Sequence, residues 1–314
     1  MTENNTERDY DAIVIGAGFS GLAMLHHLRD IGLRTVVLDG EDGIGGTWWV
    51  NRYPGVRTDS EYSYYSFSFS KEVRDEWTWT ERYPAGEEVL AYLNFVADRL
   101  DLRRDITLNS RVESAVYDET ENTWTVQLAD GRSLTTKYLV SGMGVLSQAV
   151  YPSIPGIESF RGEKYHTAQW PREGADLAGK RVGLIGLGAS GIQIVPVIAG
   201  EVGEFYVFQR TPNFVVETNN DKVSSEDMAW LRQNYDAVYE KAANHPFGVA
   251  MEPAEHSALE VSDEERRRIF EGKWNEGGFH FANECFNDLA TNHEASELAS
   301  EFIRSKIAEI VSDP

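Results

Sequence analysis

The sequence predicts an α/β protein: two Rossmann-like dinucleotide-binding domains followed by a helical subdomain. Three observations carry this. Paired fingerprints, Gly16-x-Gly18-x-x-Gly21 and Gly186-x-Gly188-x-x-Gly191, stand far apart in one chain; a short apolar strand precedes each; and beyond Pro212 the texture changes to long, charged, glycine-poor segments. A lone GxGxxG is weak, because tight glycine turns are common, but each one here follows a strand and opens a helix. Backbone must approach a pyrophosphate closely there, and the N–H groups of a helix start must face its charge.

Residues 10–15 form an apolar run that feeds into the first glycines, and Leu22, Leu25 and Leu28 give the next helix one apolar face before Gly32 stops it. A strand at residues 35–38 completes a βαβ opening. Residues 45–55, rich in glycine, proline and aromatics, read as a loop too broken for a regular element. A helix is expected from about Ala85, where Val89, Leu93, Val96 and Leu100 recur at helical spacing. Residues 124–128 and 134–140, joined by Asp130-Gly131, read as a hairpin.

After a crossing marked by Pro152 and Pro155, the strand at 181–185 and a helix ending near Gly200 repeat the βα half. Further on, Ser262-Asp263-Glu264-Glu265 matches a capping box, and Leu298, Phe302, Ile303, Ile307 and Ile310 keep helical spacing. The expected boundaries are 1–148 and 149–215 for the dinucleotide-binding domains and 216–314 for the helical subdomain.

The residue that closes the strand after each fingerprint divides the ligands. After the first it is Asp39, able to accept hydrogen bonds from ribose hydroxyls, which suits FAD or NAD. After the second, the strand at 204–209 ends on Arg210. A guanidinium pairs a 2′-phosphate bidentately where a carboxylate would repel it, so the second site reads as one for NADP.

With 314 residues and 41% hydrophobic content, the chain can fill two or three cores. A formal net charge of −22 argues against nucleic acid or an anionic membrane as partner, and makes the local cations Arg57, Lys180 and Arg210 more informative. No stretch approaches a membrane span and the first nine residues lack an apolar core, so the expected location is cytoplasmic. The lone Cys285 excludes an internal disulfide, a CxxC redox centre and a multi-cysteine zinc site.

Between the fingerprints lies Phe160-x-Gly162-x-x-x-His166-x-x-x-Trp170-Pro171. This resembles the signature of the Baeyer–Villiger monooxygenases, the flavin-dependent class that includes phenylacetone, cyclohexanone and steroid monooxygenases. The loop Gly46-Thr47-Trp48-Trp49-x-Asn51-Arg52-Tyr53-Pro54-Gly55-x-Arg57-x-Asp59 is similar to the flavin-side loop of that family, and Phe208-Gln209-Arg210-Thr211-Pro212 to its 2′-phosphate clamp. The resemblance implies FAD and NADPH as cofactors, and a small ketone and dioxygen as reactants that yield an ester or lactone.

It also implies site residues. On the FAD side these are Gly16, Gly18, Phe19, Ser20, Gly21, Asp39, Gly46, Thr47, Trp48, Arg57, Thr58, Asp59, Tyr65 and Val112. On the NADP side they are Gly186, Gly188, Ala189, Ser190, Gly191, Gln193, Arg210 and Thr211. Asp59 matches a catalytic aspartate that positions an arginine beside the flavin; His166 reads as a buried, hydrogen-bonded residue ordering the interdomain linker, and Trp170 as packed at the domain junction.

The matching arginine would lie in a Lys-Arg segment past Asp313-Pro314, so the resemblance is to an N-terminal portion, lacking the C-terminal part. Three readings stay open: an incomplete Baeyer–Villiger monooxygenase, inactive as 314 residues alone; a relative that oxygenates nitrogen or sulfur; and a non-catalytic FAD/NADP-binding module.

Overall fold

The computed structural model describes residues 8–211, 213–245 and 248–312. Pro212, the last residue of the expected phosphate clamp, and the terminal Asp313-Pro314 lie outside them. The chain groups into two compact units, Met1–Val56 with Gly86–Asp176 and Arg57–Ala85 with Leu177–Pro314. Residues 57–85 group with the second unit, where the Arg57 N–H donates to Gln193 and the Tyr83 N–H to Asn220.

The first unit is built on a six-stranded sheet of order β3-β2-β1-β6-β5-β4. β1 (Tyr10–Ile15) lies parallel between β2 (Thr35–Leu38) and β6 (Ser133–Ser141), with Ile13 opposite Val36 and Leu139; β3 (Ile106–Thr107) extends β2 in parallel. α1 (Phe19–Asp30) is the crossover between β1 and β2, and buries Leu22 and Leu25. α4 (Gly86–Arg99), the helix expected from about Ala85, buries Val89, Leu93 and Val96. Both faces of the central strands are covered, which is why β2 is buried along its whole length.

Besides the short β3, the structure adds a helical turn and a further strand to this unit. α2 (Thr47–Val50) is one helical turn inside the stretch read as a loop, closed by the Trp49 and Val50 N–H groups donating to the Gly46 carbonyl. β4 (Val112–Asp118) pairs antiparallel with β5 (Thr123–Leu128), which pairs antiparallel with β6, so the expected hairpin is a three-stranded meander. In β4 only Val112 and Ala115 are half-buried, so the apolar alternation that marks a strand is missing.

The second unit carries a two-stranded parallel sheet, β7 (Arg181–Ile185) and β8 (Glu204–Phe208), joined by α5 (Ala189–Ile198). The short α3 (Lys71–Glu76) lies in the 57–85 segment. The expected helical region follows as α6 (Ser225–Ala243), α7 (Asp263–Glu276), α8 (Phe279–Glu284) and α9 (His293–Ile310). Ser262 caps α7 by accepting from the Glu265 N–H, and a reciprocal box at Ser224 and Asp227, not noticed in the sequence, caps α6. Phe281, Phe286 and Phe302 cluster around Phe270 in the core of α7 to α9, with ring centres 5.2 to 5.4 Å from it. Cys285 lies in that core, where burial pushes its thiol up to about 12 and makes it a packing residue.

Candidate dinucleotide-binding sites

At the end of β1 the chain turns through Gly16, whose φ of +102° favours glycine. A Cβ on Gly21 would overlap the Gly16 carbonyl oxygen, so any side chain there would push α1 off the turn. α1 starts on Gly18 with no side-chain cap and no acid in its first turn. The starts of α6, α7 and α9 are instead capped by Ser224, Ser262 and Asn292. The bare start of α1 keeps its N–H groups and the positive end of its dipole for an outside anion. Phe19 is half-buried there, and Ser20 is exposed.

Asp39 is 8% exposed and accepts hydrogen bonds from the Ala17 N–H at 2.6 Å and the Glu41 N–H at 2.8 Å. The acid that the sequence offers to a ribose therefore also ties the fingerprint loop to the end of β2. Gly45 donates to the Ala17 carbonyl at 3.0 Å, and a Cβ on Gly18 would stand 3.5 Å from the Gly46 α-carbon, which brings Thr47 and Trp48 beside the loop. Val112 follows Arg111, whose guanidinium packs on Gly40 and pairs with Glu41 at 3.1 Å.

Gly142 was missed in the sequence. Its N–H donates to the Ile15 carbonyl at 2.8 Å, and its own carbonyl oxygen would stand 2.5 Å from a Cβ on Gly16. A glycine pair, Gly142 and Gly144, directly after an apolar strand was the available signal.

The signature stretch packs within the same unit. Ala168 N–H donates to His166 Nδ1 at 3.1 Å, leaving the ring proton on Nε2, and the His166 ring lies 4.9 Å from that of Tyr151. His166 is hydrogen-bonded as expected, but half-buried instead of buried. Trp170 is half-buried against Tyr165. Arg172 makes two bonds to Asp42, one at 2.7 Å, and its guanidinium lies 4.9 Å from the Trp49 ring centre. Arg52 lies at 4.4 Å from the same ring, and Trp49 Nε1 donates to Asp42 at 3.1 Å. The Arg172 hydrogen bond holds the Asp42 carboxyl down at about 2.

The second cradle repeats the first. Gly186 has φ +91°, a Cβ on Gly191 would stand 2.5 Å from the Gly186 carbonyl oxygen, and α5 starts uncapped on Gly188. A Cβ on Gly188 would meet nothing within 4 Å among the described residues, so the approach to the helix start is open. Ala189 is exposed there and Ser190 half-buried. The Gly186 N–H donates to the Phe208 carbonyl at 2.8 Å, which brings the end of β8 beside the turn; Arg210 and Thr211 follow it, both exposed.

In the same unit Gln193 on α5 accepts from the Arg57 N–H at 3.2 Å and donates to the Arg57 carbonyl at 3.1 Å. The Arg57 guanidinium donates through Nη1 to Glu81 at 2.9 Å and to the Tyr83 carbonyl at 3.0 Å, so it already has a counter-ion within the second unit. Thr58 is 2% exposed, and its hydroxyl has no partner among the described residues. Asp59 is exposed. Burial pushes the half-buried Tyr65 phenol up to about 12, with the Asp59 charge adding to the effect.

The profile of the flavin-binding monooxygenase-like family matches residues 10–248. The chain belongs to this family. A phenazine N-monooxygenase of Lysobacter antibioticus is 41% identical over 313 residues, covering 99% of this chain and 58% of its own length. A Baeyer–Villiger monooxygenase of Pseudooceanicola batsensis is 42% identical over 318 residues, covering 100% of this chain and 58% of its own. Among solved structures, oxidized steroid monooxygenase bound to NADP superposes with a TM-score of 0.91 at 43% identity, covering 97% of this chain and 58% of that one. The chain thus spans 58% of the length of these relatives.

In this flavin-binding monooxygenase-like chain the expected residues fall into two groups. Gly16, Gly18, Phe19, Ser20, Gly21, Asp39, Gly46, Thr47, Trp48 and Val112 belong to the first unit; Arg57, Thr58, Asp59, Tyr65 and the second fingerprint with Arg210 and Thr211 belong to the second. Among the described residues no helix is long and apolar enough to cross a membrane.

Proposed function

We propose that the protein is an FAD- and NADPH-dependent monooxygenase that converts a ketone to an ester or lactone with dioxygen. The observation that carries this is the repeated cradle: two uncapped, glycine-headed helix starts, each beside a strand end, one strand closing on Asp39 and the other leading to Arg210. Residues 1–148 are read as part of the FAD-binding domain, 149–215 as part of the NADP-binding domain and 216–314 as a helical subdomain. The activity is assigned to the whole protein that carries this chain.

Bound FAD and NADPH would supply the redox chemistry that activates dioxygen. The residues supply binding and charge. N–H groups at the start of α1 hold a pyrophosphate, and Asp39 keeps lone pairs for a ribose hydroxyl while fixing the loop. The orphan Thr58 hydroxyl is a hydrogen-bonding group awaiting a partner, and the exposed Asp59 orients a cation toward the reacting oxygen. Arg210, with Thr211, receives the 2′-phosphate.

A second reading, oxygenation of nitrogen, is favoured by the phenazine N-monooxygenase at 41% identity. Flavin absorbance of the purified protein, followed by product analysis with ketone, amine and thioether substrates, tests both. Ester or lactone formation supports the first reading. N-oxide or sulfoxide without ester supports the second, and a colourless protein that binds NADPH but oxidises nothing overturns both in favour of a binding module.

A further inference from the structure

In the second unit, His280 stands between two carboxylates. Its Nδ1 lies 2.9 Å from Glu284 on its own helix, and its Nε2 lies 3.2 Å from Glu61, two residues past Asp59. The side chains of His280, Glu61 and Glu284 are 16%, 19% and 8% exposed, so water cannot readily substitute for these bonds. A carboxylate only accepts, and a neutral imidazole carries one N–H. Both bonds are therefore made only when the ring holds two protons.

The surroundings are charged on every side. From α7, Lys273 reaches Glu284 at 2.7 Å and Glu276 at 2.8 Å, and Glu276 lies 3.6 Å from His280 Nδ1. From the 57–85 segment, Arg82 pairs with Glu61 through two nitrogens and donates to the Glu276 carbonyl at 2.7 Å. Tyr64 faces the same carboxylates, and a Cβ on Gly278, just before α8, would overlap the Tyr83 hydroxyl. Glu276, His280 and Glu284 have the grouping of a metal site, but the Lys273 ammonium already sits on both carboxylates. With His280 protonated, three cations balance three carboxylates; with it neutral, one negative charge is left uncompensated.

The geometry points to His280 as a proton-operated latch that fastens the α7–α8 turn to the segment carrying Asp59. This does not depend on the oxygenation chemistry. The hydrogen bond to Glu61 raises the His280 pKa above its ordinary value against the opposing effect of burial, and Glu284 adds to the rise. A raised folded-state value means that the stabilisation is fully present below the unfolded pKa of about 6.5 and is lost as pH rises through the folded value. The positioning of residues 57–66 follows the same proton.

Amide exchange of residues 57–66, corrected for intrinsic base catalysis, from about pH 6 to about pH 9 tests the latch, alongside NMR titration of labelled histidine. In the wild type, corrected exchange is expected to rise on the order of tenfold across this range, with a His280 midpoint above 6.5. His280→Gln should exchange fast throughout, and His280→Arg, a permanent cation, slowly throughout. A His280 midpoint below about 6.5, or a wild-type pH profile retained in His280→Gln, overturns the proposal. Should His280→Gln fail to fold, Glu61→Gln serves in its place: it must lower the His280 midpoint, and an unchanged midpoint overturns the latch.

Discussion

Thr58 and Arg210 make opposite demands on a ligand. The Thr58 hydroxyl is already desolvated and unmatched among the described residues, whereas the Arg210 side chain is exposed. Replacing Thr58 by Val removes an unsatisfied group, so the ligand-free protein should be as stable or gain about 1 kcal/mol, while flavin affinity falls. Melting curves with and without FAD check this, and an unchanged FAD-induced shift would exclude the hydroxyl from the flavin site. For Arg210→Ala, loss of a charge-assisted pair predicts a roughly 10- to 100-fold weaker NADPH affinity with little change toward NADH. Equal loss for both in a titration would show that Arg210 does not read the 2′-phosphate. The glycine turns and the place of Asp39 at the end of β2 were legible because they depend on local order. The commitment of Arg57 to Glu81 was not, since those residues are joined only by the folded 57–85 segment.

Elements whose apolar residues recur on one face were readable in advance: β1, β2, β7, α4 and α9 lie where the pattern puts them. Those held by backbone contacts or lying at a solvated edge were not, and α2 and β4 are the examples. α2 matters to residues 160–172, because Trp49 on its single turn receives both Arg52 and Arg172. Arg172→Ala is expected to loosen residues 160–172 and raise their cleavage by added protease. Arg172→Lys should restore little, since an ammonium can neither pair bidentately with Asp42 nor stack on the indole. Full rescue by lysine would mean that charge alone holds these residues.

Across the whole molecule, an acidic chain of net charge −22 presents two uncapped glycine-headed helix starts, the kind of backbone that suits an anionic ligand. Both units also leave apolar side chains in solvent: Val145 and Val150 in the first, and Ile185 and Phe208 in the second, are 58 to 96% exposed. The two cradles, alike in their glycines, differ in what carries them. β1 is laced to a neighbour on each side, whereas β7 and β8 have only each other among the described residues. A turn hung from a strand gripped on both flanks resists distortion. A pyrophosphate bound at the first cradle would meet N–H groups already fixed in place by that grip.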